Sequence, residues 1–148
     1  MKEMMHRFRS LLVAIVMLPI VMACVSEGRS VEVHDQPKSL WASSEEFYYE
    51  NEDTLSMRDI SIVLRYDRGE VADSVALNIM TISPDSMIVD EPFVLHVPRL
   101  GDLRPAEQTF LYRRNVVLSR PGRYLFRLRP TGVVEGVSSV GIVVNEHN

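Results

Sequence analysis

Cysteine is almost absent from this chain, since Cys24 is the only one among 148 residues. The chain can therefore form no internal disulfide, and an apolar core must provide its stability. A single free thiol is also a liability in an oxidising compartment unless it is blocked. Long apolar runs are missing as well: residues 11–22 fall short of the roughly 20 residues that a membrane-spanning helix needs.

The motifs of common enzymes are missing too. His34, His96 and His147 are scattered and lack the spacing of zinc-binding motifs. No G-x-S-x-G sequence marks a serine nucleophile, and no glycine-rich loop is present to hold a phosphate. His96 alternates with apolar neighbours, so we interpret it as an outward strand residue rather than a catalytic base. The sequence predicts a non-enzymatic protein with no cofactor and no metal site.

The N-terminus is organised like a signal peptide, predicted to cover residues 1–23. Lys2, Arg7 and Arg9 precede the apolar run, which ends in V-M-A-C at residues 21–24. This ending resembles a bacterial lipobox, in which a small residue before the cysteine lets the signal peptidase cut. We expect Cys24 to be acylated and to anchor the protein permanently in a membrane. An ordinary cleaved signal followed by a stray thiol is the alternative.

The chain after the signal peptide is acidic. Without residues 1–23 it has 13 basic and 19 acidic residues, a net charge of −6, which gives no reason to expect a nucleic-acid partner. Residues 24–40 mix small, polar and charged types with little periodicity, and we interpret them as a lipidated tether. Val25 follows the cysteine instead of an aspartate, which favours the outer membrane by the sorting rule of enterobacteria.

From residue 41 onward, apolar and polar residues alternate with the period of β-strands. Seven extended segments are predicted within residues 47–49, 60–67, 75–80, 93–97, 110–118, 124–129 and 140–144. Short strands at this spacing are typical of an all-β fold, an antiparallel β-sandwich, here covering residues 41–148 after an N-terminal signal helix. The pattern leaves immunoglobulin-like and jelly-roll-like connectivity open.

Two groups of charged residues have both a functional and a structural interpretation. Asp85, Asp90 and Glu91 could bind calcium, but their spacing fits a solvated turn better. Several arginines could meet an acidic partner or a phosphate, although a solvated strand face that discourages edge pairing is the simpler interpretation. These arginines are Arg113, Arg114, Arg123, Arg127 and Arg129.

Short motifs follow one another in a fixed order along most of the chain. After the lipobox they are Trp41 with Phe47, Leu64-Arg65-Tyr66-Asp67, Ser83-Pro84-Asp85, Gly101-Asp102-Leu103-Arg104, Pro121-Gly122-Arg123-Tyr124-Leu125-Phe126 and Gly136-Val137-Ser138-Ser139-Val140-Gly141. In this order and spacing the chain resembles the GldH-type gliding motility lipoproteins of Bacteroidetes. The resemblance marks as structural or partner-contact positions Trp41, Phe47, Arg65, Tyr66, Gly101, Asp102, Pro121, Gly122, Tyr124, Gly136, Val140 and Gly141.

The resemblance implies a non-enzymatic lipoprotein of the cell envelope. It would be an accessory component of the gliding motility machinery that is linked to type IX secretion. Its partners would then be proteins of that envelope complex, together with the membrane that holds the acylated Cys24. A small-molecule ligand is not expected.

A surface-exposed module that binds a glycan or a peptide is the alternative. Trp41, Tyr48 and Tyr49 could form a stacking platform for a sugar, although a tryptophan beside a first strand is more often a lid on the core. The two interpretations differ in the burial of these rings. Side-by-side exposure would favour the binding module, and packing under the sheets would favour the interaction protein.

Overall fold

The computed structural model of the protein describes residues 28–98 and 105–147. The predicted signal peptide, Cys24, Gly101 and Asp102 lie outside these residues. Within them, no helix is long and apolar enough to cross a membrane, and a single turn of 3-10 helix lies at Pro37–Ser39. The strands are β1 (Arg29–Asp35), β2 (Leu40–Trp41), β3 (Glu45–Asn51), β4 (Met57–Tyr66), β5 (Ser74–Ile82), β6 (Ile88–His96), β7 (Ala106–Val117), β8 (Gly122–Pro130), β9 (Val134–Glu135) and β10 (Val137–Glu146).

Eight of these strands form two antiparallel sheets that pack as a sandwich. Sheet I has the order β1-β10-β4-β7 and sheet II the order β3-β8-β5-β6, while β2 and β9 pair as a separate ribbon. In these two sheets β1 pairs with β10, β3 with β8, β4 with β7 and β5 with β6, so each pair is nested within the one before it. This nested pairing is jelly-roll connectivity. The predicted antiparallel sandwich is confirmed, and the pairing decides between the two connectivities left open.

The core lies between the sheets and is built from alternate residues of the long strands. In β4 the inward residues Ile60, Ile62 and Leu64 are buried, as are Phe126 and Leu128 in β8. Burial of such side chains stabilises the fold by about 25 cal/mol per Å² of apolar surface. Other members of the same cluster are Trp41, Phe47, Tyr66, Val71, Val75, Leu77, Ile79, Leu95, Val97, Ala106, Leu118, Tyr124, Val137, Val140, Ile142 and Val144.

The seven predicted segments are found as β3 to β8 and β10, but the predicted tether is wrong over much of its length. Residues Arg29–Asp35 form β1, which pairs with β10 along its full length. Leu40–Trp41 form β2, which pairs with β9. The sandwich therefore begins before residue 41. The physical reason is that β1 completes sheet I beside a central strand whose backbone groups need partners.

The two ends of the sandwich hold different segments. The Gly28 end contains the start of β1, the end of β10 and the loops at residues 52–56, 83–87 and 118–121. The Trp41 end contains the β2–β9 ribbon and the loops at residues 67–73 and 131–133. At the Gly28 end, the Glu146 amide donates to the Gly28 carbonyl at 2.5 Å. Both ends of the described chain thus lie at the same end of the sandwich.

Two motif glycines are required by close packing. At Gly141 in β10, an added Cβ would collide with the Glu32 carbonyl oxygen and would lie 2.8 Å from Val33 Cγ2. Gly136 has a φ of +77°, and a Cβ there would lie 2.7 Å from the Val71 amide nitrogen. A side chain at either position would push neighbouring backbone away.

Candidate functional site

Five motif residues lie in the core. Trp41, Phe47, Tyr66, Tyr124 and Val140 are all buried between the sheets or under the β2–β9 ribbon. All five pack in the core, and two also make hydrogen bonds to nearby backbone, since Trp41 Nε1 donates to the Ser43 carbonyl and the Tyr124 hydroxyl accepts the Arg120 amide. These positions therefore have structural roles.

Three other motif residues lie at the surface. Pro121 and Gly122 turn the chain from β7 into β8, and Gly122 has a φ of +115°. Arg65 is exposed on the outer face of sheet I, where its Nη2 lies 3.0 Å from Glu107 Oε2. Of these three, Arg65 is the one with a charged side chain, and it is exposed.

The aromatic residues considered for sugar binding do not form a common surface. Trp41 is fully buried, and its Nε1 donates to the Ser43 carbonyl at 2.9 Å. Tyr48 and Tyr49 are consecutive in β3, so they point to opposite faces of sheet II. Tyr48 is half-exposed, whereas the Tyr49 hydroxyl accepts a hydrogen bond from buried Arg58 Nε at 3.0 Å. The interpretation of Trp41 as a core lid is confirmed.

Arginines of β8 pair with carboxylates of β3 on the outer face of sheet II. Arg127 Nη2 lies 2.6 Å from Glu46 Oε1, and Arg123 Nε lies 2.5 Å from Glu50 Oε1. The hydrogen bond from Arg127 is the main cause that holds the pKa of Glu46 below its ordinary value. Exposed cross-strand pairs of this kind contribute little to stability, because water and salt screen their charges.

A shallow depression of about 290 Å³ lies beside these pairs. Charges of both signs and two uncharged polar groups line it, so it has no strong preference for an ion of either sign. Its lining residues are Ser44, Asn78, Met80, Asp90, Arg127 and Arg129.

The acidic residues considered for calcium do not converge. Asp85 pairs with Arg120 Nε at 3.0 Å, while Asp90 and Glu91 are consecutive in β6 and point to opposite faces. Glu91 accepts a hydrogen bond from the Tyr112 hydroxyl; burial and this bond raise the pKa of Tyr112 to about 12. Across residues 28–98 and 105–147, no three such side chains are grouped to hold a metal ion.

His34, predicted to lie in the tether, connects the two sheets instead. Its Nδ1 lies 2.8 Å from Glu45 Oε2 in β3, and its Nε2 lies 3.3 Å from Glu32 Oε1. Burial lowers the pKa of His34, but the hydrogen bonds and charges of the two carboxylates more than offset this, so the pKa is raised overall. The ring also packs 4.5 Å from the Phe47 ring. Together these contacts hold β1 against β3.

Apolar side chains are grouped on the outer face of sheet I. Strand register places Val33, Gly141, Val63 and Thr109 in one row and Val31, Val143, Ser61 and Leu111 in the next. The apolar side chains of these rows, Val31, Val33, Val63, Val143 and Leu111, are called the valine band. Its floor, Val63 and Val143, is buried, whereas its edges on β1 and β7 are exposed. Four strands at the usual spacing make the band about 14 Å across.

Charged residues border the valine band on both sides. Asp35, Arg65 and Glu107 lie in the row toward the Trp41 end, and Arg29 and Asp59 lie in the row toward the Gly28 end. The furrow within this face has a volume of about 320 Å³. An apolar centre with a charged rim is the usual composition of a protein–protein interface.

The valine band was not predicted from the sequence. Its members come from four strands that are far apart in sequence, and Val31 and Val33 fell within the predicted tether. The available signal was the alternation V-E-V-H at residues 31–34. That alternation is shorter than the ones that identified the other long strands.

The strands and their pairing define the class: an all-β jelly-roll sandwich with an open apolar sheet face. No protein-family model matches the chain, and no curated protein matches it.

Solved structures similar to this chain are distant. A structure of the infectious bursal disease virus Gx strain is 9% identical over 82% of this chain and 33% of its own, with a TM-score of 0.36. Promiscuous carbohydrate-binding modules from the beta-sandwich superfamily are 9% identical over 80% of this chain and 52% of theirs, with a TM-score of 0.34. Dimeric latent PorU from Porphyromonas gingivalis is 6% identical over 80% of this chain and 13% of its own, with a TM-score of 0.32. Similarity at this level carries no argument about function.

Proposed function

We propose that this protein is a non-enzymatic, lipid-anchored protein of the cell envelope that docks on a protein partner through the valine band. The observation that carries the proposal is that Val31, Val33 and Leu111 are exposed at the edges of the valine band, over its buried floor and between two charged rows. Exposed apolar side chains grouped in this way, with a polar rim, usually mark an interaction site. The motif resemblance supports an accessory role in the gliding motility machinery linked to type IX secretion, at the outer membrane.

A protein partner fits this face better than a glycan does. Aromatic rings provide the flat faces on which a ligand ring stacks. The valine band contains four valines and one leucine, while Trp41 is buried and Tyr48 and Tyr49 point to opposite faces of sheet II. Branched aliphatic side chains instead suit the packing of another protein's apolar side chains.

Replacement of Cys24 with alanine is expected to prevent membrane anchoring. Two or three acyl chains contribute about 0.8 kcal/mol per buried CH₂, which makes attachment effectively permanent, and the variant cannot carry them. Cell fractionation should find Cys24→Ala in the soluble fraction or as an unprocessed precursor. A Ser26→Ala variant should remain in the membrane pellet. A processed Cys24→Ala protein that stays firmly in the pellet would contradict lipid attachment at this residue.

Replacement of Val33 with arginine is expected to weaken partner docking. A charged side chain in the apolar band must be desolvated on binding, and we expect recovery of cross-linked partners to fall about tenfold or more. The measurement is mild cross-linking of the lipidated protein in its own cells, followed by purification and mass spectrometry. Gliding or secretion proteins should be recovered with the unmodified chain and lost with the variant.

The control for this experiment is Val94→Arg. Val94 is 45% exposed on edge strand β6 of sheet II, and Val33 is 46% exposed on edge strand β1 of sheet I. An equal loss with both variants would contradict docking through the valine band. Recovery of polysaccharide-utilisation proteins instead would favour a surface module for glycan or peptide. Normal motility and secretion in a deletion strain would contradict the motility role.

A further inference from the structure

We propose that the Gly28 end of the sandwich lies against the membrane, with Leu55 and Ile88 in contact with lipid. The proposal rests on the proposed function, because it takes Cys24 to be the point of lipid attachment. It adds an orientation and a second contact surface to that anchor. The occupant of this end is the lipid bilayer.

The position of the anchor residue in sequence limits how far this end can lie from the bilayer. Four peptide units separate Cys24 from Gly28, and a fully extended chain of that length spans about 14 Å. Gly28 is already fixed to sheet I, since its carbonyl accepts the Glu146 amide at 2.5 Å. The Gly28 end is therefore the part of the domain held closest to the membrane.

Exposed apolar side chains are concentrated at this same end. Leu55 is 85% exposed in the loop at residues 52–56, and Ile88 is 61% exposed at the start of β6. The Trp41 end has Val133, which is 65% exposed, and the less exposed Leu40. The other exposed large apolar residues at or beside the Gly28 end are Met57, Met87, Val89 and Val117. An apolar surface next to a lipid anchor is typical of contact with the interfacial region of a bilayer.

The loop that carries Leu55 is held by a buried arginine. Arg58 donates from Nη2 to the Asp53 carbonyl at 2.8 Å and from Nη1 to the Ser56 carbonyl at 2.9 Å. The Asp53 carboxylate in turn accepts the Leu55 amide at 2.8 Å and also bonds Ser56. These bonds fix the backbone of the loop with the Leu55 side chain projecting into solvent, which lowers the backbone entropy lost when this end contacts lipid.

The turn before Ile88 is also fixed. The Ser83 amide donates to the Met87 carbonyl at 3.0 Å, and Asp85 pairs with Arg120 of the neighbouring loop at 3.0 Å. Because the Asp85 and Arg120 charges are already paired, bringing this end to the headgroup region desolvates fewer isolated ions.

The test uses tryptophan as a probe of lipid contact. The chain has one native tryptophan, Trp41, which is fully buried at the opposite end and gives a constant background. Three variants are made: Leu55→Trp, Ile88→Trp and, as the matched control, Val133→Trp. Each full-length lipidated protein is reconstituted in vesicles of phosphatidylethanolamine and phosphatidylglycerol that contain dibrominated phosphatidylcholine, and quenching of tryptophan emission is measured.

We expect the Leu55→Trp and Ile88→Trp proteins to be quenched at least about twofold more strongly than the Val133→Trp protein. Equal quenching of all three would overturn the proposal. Mass spectrometry of the purified protein tests acylation of Cys24 separately. If Cys24 is unmodified, the proposed anchor is wrong. In that case the free thiol of Cys24 is coupled to a maleimide lipid, so that each variant is still attached to the vesicles. The same comparison of the three variants then decides whether this end contacts lipid.

Discussion

Replacement of Trp41 with alanine should lower the free energy of unfolding by about 3 to 5 kcal/mol. Trp41 is the largest fully buried side chain, and it sits where the β2–β9 ribbon closes the end of the sandwich. The change removes its apolar contacts, leaves a cavity and frees the Ser43 carbonyl. Since a domain of this size is stable by about 5 to 15 kcal/mol, the loss is a large fraction of the total.

Urea unfolding followed by circular dichroism measures this effect without needing the tryptophan signal. Trp41→Phe is the matched control, because it keeps an aromatic ring in the core and should lose less than half as much. Tyr48→Ala removes a half-exposed ring and should have a small effect. If Trp41→Ala were no more destabilising than Tyr48→Ala, the residue would not be the core lid that its burial indicates.

Replacement of Arg58 with alanine should cost about 3 kcal/mol of stability. Its guanidinium, almost fully buried, bonds the Tyr49 hydroxyl and the carbonyls of Asp53 and Ser56, and lies 3.9 Å from Glu146. Without it, these oxygens lose their donor at the base of the loop. We therefore expect faster proteolysis within residues 52–56 as well as a lower urea midpoint.

Two variants on the same strand make this prediction specific. Arg65→Ala removes an exposed arginine and its surface pair with Glu107, and should change stability by no more than about 0.5 kcal/mol. Arg58→Lys keeps the charge, but a single ammonium cannot reach all the partners of the guanidinium, so an intermediate loss is expected. If Arg58→Ala lost no more stability than Arg65→Ala, the buried hydrogen-bond network of Arg58 would contribute little.

The local pattern was sufficient to predict most strands and the sandwich. In β4, Ile60, Ile62 and Leu64 face the core and alternate with residues on the outer face, as the period of two requires. Connectivity was not accessible in this way. Ig-like and jelly-roll folds use similar strands, and the difference lies in pairings such as β1 with β10, which join opposite ends of the chain.

The candidate site was harder to predict for the same reason. The valine band exists because register places Val31, Val143 and Leu111 in one row across sheet I, with Ser61 between the last two, and no local window contains all three valine-band residues. Arg58 was also overlooked, because a charged residue at the start of a strand is ordinarily exposed and its burial depends on the loop that folds over it. Its location is a result of tertiary packing.

The central position of β10 in sheet I has a consequence for biogenesis. This strand, Val137–Glu146, lies between β1 and β4 and supplies backbone partners to both. Sheet I therefore cannot close until the last segment of the chain has emerged, and pairings between such distant segments form slowly. Premature termination before residue 137 would leave two unpaired strand edges exposed to aggregation.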